Sequence, residues 1–166
     1  MFYRSILIVL LVFFSSCSSA QVENKKYELM LDGLLSHSVT ETSVDELSKR
    51  KENIILLDAR ESNEYEVSHL DGAIHIGYDE FDLSSVSHIN KDAEIIVYCS
   101  VGYRSEKIAE RLVENGYTNV QNLYGGIFEW MNRGQEVINT QGVTDSIHAF
   151  DRIWGVWLDK GIKVYD

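Results

Sequence analysis

The sequence predicts an α/β domain built on a parallel sheet, and three observations carry that prediction. Ile54–Leu57 and Ile95–Tyr98 are short, unbroken apolar runs rich in β-branched residues. Strands buried on both faces by covering helices have this composition. Around these runs, apolar residues recur at helical spacing. The chain has 166 residues, 45% of them hydrophobic and 25% charged, with no internal repeat, low-complexity tract or long linker. That length suits one well-buried core rather than two full domains.

Residues 1–20 read as an export signal outside the fold. Arg4 is the only charge before Glu23, and Ile6–Phe14 is continuously apolar before small residues follow. This is the layout of a secretory signal, and the run is about half the ~20 residues a membrane-spanning helix needs. Phe14-Ser15-Ser16-Cys17 resembles a bacterial lipoprotein signal, with Phe14 in place of the usual aliphatic residue. Cleavage before residue 17 would leave Cys17 as the lipidated N-terminus. The competing reading is cleavage after Ala20, with Ser18 and Ala20 as the small pair. The expected location is the bacterial periplasm, either free or lipid-anchored, with membrane contact through the lipid alone.

Residues 21–39 form an expected helical extension, because Tyr27, Met30, Leu31, Leu34 and Leu35 share one helix face. Ser43 is a candidate cap for a helix beginning at Val44, where Asp45 and Glu46 suit the positive end of the dipole. Ala73–Ile76 and Val120–Leu123 are candidate flanking strands. Ile108, Ala109, Leu112 and Val113 line one side of a helix expected to stop at Gly116. Residues 40–138 make up the expected domain, and 139–166 an aromatic tail. Within that tail, Phe150, Trp154, Trp157 and Leu158 fall at i, i+4, i+7 and i+8, an amphipathic stripe expected to pack on the domain. Trp154 and Trp157 are also candidates to wall the Cys99 pocket.

Charge and cysteine content narrow the function. Fifteen Lys and Arg against 26 Asp and Glu leave a net charge of −11, which argues against a nucleic-acid partner. Cys17 and Cys99 are the only two cysteines, too few for a disulfide framework. His37, His75, His88 and His148 have no spacing that makes a metal site; no metal is expected.

The chemistry is expected in one loop. The buried run ending at Tyr98 leads into Cys99-Ser100-Val101-Gly102-Tyr103-Arg104-Ser105, after which a helix follows. The carboxyl end of a parallel strand is where open α/β sheets bind ligands. A thiol there faces the positive end of the next helix, and the loop's N–H groups can curl into an anion nest. Both favour a nucleophilic thiolate. Gly102 permits the tight turn, and Arg104 is expected to supply a fixed positive charge.

With these residues the sequence resembles the rhodanese-like sulfurtransferase family. Leu57-Asp58-Ala59-Arg60 is similar to that family's strand-end Asp-x-Arg signature. Glu64-Tyr65 and His69-Leu70-Asp71-Gly72-Ala73 resemble its second signature, with Asp71 where Pro is usual. Asn122-Leu123-Tyr124-Gly125-Gly126 with Trp130 resembles the closing strand and Gly-Gly turn.

The resemblance implies a three-layer α/β fold, with a central parallel β-sheet flanked by helices. It implies Cys99 as the catalytic residue that accepts a sulfane sulfur, forms a persulfide and passes the outer sulfur to a thiol or other nucleophile. Ser100, Val101, Gly102, Tyr103 and Arg104 would form the loop that binds substrate and persulfide. Asp58, Arg60, Glu64 and His69 would support it, His69 more as a structural group than as a proton carrier. The partners implied are a small-molecule sulfur donor and a thiol acceptor, with no cofactor. Four residues separate Cys99 from Arg104, as in sulfur-transferring members; relatives with five act on phosphate or arsenate. Tyr103 stands where thiosulfate-using relatives often carry a second basic residue, which implies weaker binding of that dianion. The alternative is a non-catalytic binding or sulfur-sensing module on the same fold.

Overall fold

The computed structural model describes residues 21–50 and 53–166; the expected export signal, with Cys17, lies outside these described residues. The two apolar runs become β2 (Ile54–Asp58) and β4 (Glu94–Tyr98), which pair in parallel from Ile54 opposite Glu94 to Asp58 opposite Tyr98. β5 (Val120–Leu123) flanks β4, and β3 (Ile74–His75) flanks β2. β1 (Thr40–Thr42), which the sequence pattern had not marked, adds to β5 and closes a five-stranded sheet in the order β1-β5-β4-β2-β3. All of its pairings are parallel.

Side chains alternate across β4, so each face of the sheet receives its own cover. Ile96 and Tyr98 face a cluster built from α1 (Lys25–Leu34), α2 (Val44–Leu47) and α5 (Gly126–Asn132). Ile95 and Val97 face a second cluster with Ile108, Ala109 and Leu112 of α4 (Tyr103–Glu114). Each large apolar side chain buried this way contributes about 1.5–3 kcal/mol. The architecture is the three-layer α/β fold.

Local chemistry sets the helix ends. Ser43 and Glu46 form a reciprocal capping box at α2. α4 ends at Glu114 with Asn115 as its C-cap, and Gly116 follows with φ +87°. Val113, expected on the buried face of α4, is 48% exposed instead; Ile108, Ala109 and Leu112 alone make the inner stripe. α3 (Ser62–Val67) connects the end of β2 to β3.

The tail does not form the helix that its aromatic spacing predicts. It folds as the antiparallel pair β6 (Val137–Asn139) and β7 (Gly142–Thr144), and the parallel pair β8 (Ser146–His148) and β9 (Ile162–Val164). Only Trp154–Trp157 is helical, as one short 3-10 turn. The backbone before it is diverted: Phe150 has φ +64°, and the Asp151 carboxylate accepts from the N–H groups of Ile153 and Trp154. Ile147, Ala149 and Leu158 are fully buried in the α1-side cluster.

Candidate active site

Cys99 follows β4, the middle strand of the sheet, and the chain turns at Gly102 into α4. Gly102 has φ +120°, a conformation that a side chain would strain. The turn brings the Gly102 N–H to donate to Cys99 Sγ at 3.2 Å. Ser105 Oγ lies 3.4 Å from the same sulfur, 2.7 Å from Asn122 Oδ1 and 3.1 Å from the Gly102 carbonyl. A hydroxyl has one proton, so Ser105 can turn it from Asn122 towards the sulfur when the sulfur carries charge. Asn122 Nδ2 donates to the Gly102 carbonyl at 3.0 Å and fixes the turn from β5.

The other side of the loop is held by α5. The Ile127 and Phe128 N–H groups donate to the carbonyls of Cys99 and Ser100 at 2.9 and 3.1 Å. That approach requires glycine at 126: a Cβ there would sit 2.3 Å from the Cys99 carbonyl oxygen. Ser105, Asn122 in this role and Gly126 in this role were not singled out from the sequence. The signals present are the hydroxyl next to Arg104 and the Gly-Gly pair after β5.

Arg104 does not stand as a free positive charge. Its Nη1 and Nη2 donate to the two Glu64 carboxylate oxygens at 2.6 and 2.8 Å, and Nη2 also reaches Ser100 Oγ at 2.9 Å. Ser100 Oγ donates to Glu64 Oε1 at 2.9 Å. Burial alone would raise the Glu64 carboxyl, but the Arg104 guanidinium overrides it and holds the group below the usual carboxylate range. In Arg104, burial opposes the charge while Glu64 and Cys99 favour it, and the balance lies upward. The expected anion-binding cation is therefore a clamp, locking the loop to α3.

Asp58 and Arg60 lie beside the loop, not in the cleft above it. Both side chains are fully buried, and Arg60 Nε and Nη2 donate to the Asp58 carboxylate at 2.6–3.2 Å. Arg60 Nη2 also reaches the Ser68 carbonyl at 2.7 Å, tying β2 to the end of α3. Burial works against the Arg60 charge, but Asp58 more than restores it. His69 stacks on Tyr65 at 3.8 Å, and its Nδ1 lies 3.0 Å from the Tyr65 carbonyl. It is a structural contact outside the cleft lining.

Above Cys99 opens a cleft of about 190 Å³, lined by Leu34, Cys99, Ser100, Val101, Tyr103, Arg104, Phe150 and Trp154. Cys99 itself is only 1% exposed and forms the floor. Tyr103, 41% exposed, stands at the rim. Trp154 walls the cleft. Trp157 does not: it stacks on Tyr27 of α1 at 5.4 Å, and the Tyr27 hydroxyl donates to the Gly125 carbonyl. Among the described residues no cluster of three or more His, Cys, Asp or Glu is placed to hold a metal.

The chain is similar to known proteins. The model of the rhodanese-like domain family matches residues 42–133. The thiosulfate sulfurtransferase GlpE of Coxiella burnetii is 32% identical over 81 residues, covering 49% of this chain and 75% of that protein. The tRNA uridine(34) hydroxylase of Photorhabdus laumondii is 37% identical over 87 residues, and this chain spans only 25% of its length. A solved Bacillus halodurans protein superposes with a TM-score of 0.56 at 29% identity, covering 72% of this chain and 88% of that one.

Proposed function

The chain belongs to the rhodanese-like domain family, and from that premise we propose that it is a sulfurtransferase working through a persulfide on Cys99. The observation that carries this reading is the convergence of the Gly102 N–H and the Ser105 hydroxyl on Cys99 Sγ at the floor of an open cleft. Donors aimed at the sulfur stabilise the negative charge that a persulfide keeps.

In the first half-reaction the Cys99 thiolate attacks the outer sulfur of a sulfane donor. The new S–S bond forms as the donor's own bond to that sulfur breaks, and the bond's electron pair leaves with the donor remnant. In the second, a thiolate acceptor attacks the outer sulfur and Cys99 departs as thiolate. The clamp among Glu64, Arg104 and Ser100 keeps the loop in register through both. The net charge of −11 weighs against carrying over the RNA substrate of the hydroxylase relatives.

Protein preloaded with a sulfane donor and freed of excess should release its sulfur to a small thiol, and Cys99→Ser should release none. A persulfide that forms but is never handed on would favour the binding or sensing reading. We place this activity outside the cytoplasm, on the strength of Arg4, the apolar run Ile6–Phe14 and Cys17. A globomycin-sensitive, membrane-attached form is the expected product; a soluble form beginning at Gln21 would replace lipidation by ordinary cleavage.

A further inference from the structure

The family match ends at residue 133, yet two walls of the cleft, Phe150 and Trp154, come from the tail beyond it, and a third, Leu34, comes from α1 before it. With Val101 and Tyr103 they make the entrance apolar or aromatic. Arg104 is the one cation among the lining residues, and its charge is matched by the Glu64 carboxylate at two contacts. The Phe150 ring covers the guanidinium, its centroid 5.2 Å away. A doubly charged inorganic donor entering here would lose water without meeting an unmatched cation, which is costly.

Phe150 itself is held at a cost. A bulky aromatic at φ +64° is a backbone outlier, and the ring remains 45% exposed, so burial does not compensate for the strain. The surroundings enforce it: the Phe150 N–H donates to His148 Nδ1 at 3.2 Å, and Ala149 N–H bonds to the Val164 carbonyl of β9. A strained, exposed ring at the mouth of a reactive cleft fits a contact with a ligand. The volume of about 190 Å³ exceeds the ~150 Å³ of an apolar cavity that takes up benzene.

Resting on the sulfurtransferase reading, we propose that the cleft selects sulfane donors carrying one negative charge and an apolar organic group, and that Phe150 and Trp154 confer this choice. Organic thiosulfonates and organic persulfides are the two classes that fit. With a thiosulfonate, the Cys99 thiolate attacks the outer sulfur of R–SO2–S⁻. The S–S bond of the donor breaks, its electron pair leaves with the sulfinate R–SO2⁻, and Cys99 is left as the persulfide anion; no proton or further reagent is needed. With the persulfide anion R–S–S⁻ the same attack on the outer sulfur breaks the donor's S–S bond, expels R–S⁻ and leaves Cys99 as the persulfide anion.

The test compares kcat/KM for thiosulfate, methanethiosulfonate and benzenethiosulfonate with one thiol acceptor. Benzenethiosulfonate should exceed thiosulfate by about tenfold or more, the scale of discrimination an apolar pocket supplies. The benzene-to-methane ratio cancels the reactivity of the common group when variants are compared. Phe150→Ala and Trp154→Ala should each lower that ratio about fivefold, as expected for losing an aromatic contact, and Phe150→Leu should recover most of it. Phe150 is exposed, so its variants decide the matter even where Trp154→Ala fails to fold. An unchanged ratio in Phe150→Ala, or a preference for thiosulfate, would overturn the proposal while leaving sulfur transfer intact. Failure of all three donors to sulfurate Cys99 would instead remove the reading beneath it, and the proposal with it.

Discussion

The floor of the cleft and its walls are made in different ways by different parts of the chain. The floor lies within residues 42–133 and is held by hydrogen bonds: Gly102 N–H to Cys99 Sγ, Asn122 to the Gly102 carbonyl, and α5 amides to the Cys99 and Ser100 carbonyls. The walls, Leu34, Phe150 and Trp154, lie outside that stretch and meet the floor through side-chain packing. Hydrogen bonds in a turn fix positions to tenths of an ångström, which a nucleophile needs. Apolar walls fix little but what they exclude and admit. Changes to the floor should therefore cost folding and chemistry together, whereas changes to the walls should cost choice of substrate.

The largest effect is expected at Gly126. An added Cβ at 2.3 Å from one carbonyl oxygen and 2.7 Å from another cannot be accommodated by rotating a side chain, so Gly126→Ala must push α5 off the loop. More than about 5 kcal/mol of stability should go, at the exceptional end for a single substitution, with loss of sulfur transfer. Thermal denaturation and a transfer assay check both. A fully stable, inactive Gly126→Ala would break the link between the fold of the floor and its chemistry.

Next comes the clamp. Arg104→Ala leaves the buried Glu64 carboxylate without its cation and should cost about 3–5 kcal/mol. Glu64→Gln combined with Arg104→Ala should cost less than Arg104→Ala alone, since the stranded charge is gone. Chemical denaturation of the single and double variants measures the coupling. The same pair sets an acid limit. Because the folded Glu64 carboxyl lies below its ordinary range, its contribution is fully present above the unfolded value of about 4.3. It disappears as pH falls through the lower folded value. Wild-type stability should thus decline on acidification below about pH 4 by more than that of Glu64→Gln.

The smallest effect on stability belongs to Phe150, the exposed wall residue. Phe150→Ala should change the unfolding free energy by no more than about 0.5 kcal/mol, as at most exposed sites, because alanine keeps the Cβ and with it the left-handed backbone strain. A loss as large as that of Arg104→Ala would erase the distinction between wall and floor.

The same distinction separates what was legible in the sequence from what was not. Ile54–Leu57 and Ile95–Tyr98 announced a buried parallel sheet because a strand covered on both faces must be apolar throughout. Cys99, Gly102 and the start of α4 lie together in the chain, so their local geometry was readable. The Arg104–Glu64 clamp spans 40 positions and the Ser105–Asn122 contact 17, and nothing in local spacing reveals that such groups meet. Arg104 accordingly read as a fixed positive charge for the donor, without the carboxylate that pairs with it. In the tail, the spacing of Phe150, Trp154, Trp157 and Leu158 matched a helix, but β8 and β9 claim the flanking backbone and Phe150 turns left-handed. Periodicity records which residues face inward, and a short 3-10 turn between strands satisfies the same pattern.

The most direct test of the central claim is the mass of intact protein after exposure to thiosulfate, polysulfide and benzenethiosulfonate, followed by mapping of the modified residue. The account predicts a gain of one sulfur atom, carried by Cys99, removed by a thiol reductant and absent from Cys99→Ser. A folded wild-type protein whose Cys99 stays unmodified by every one of these donors would contradict it.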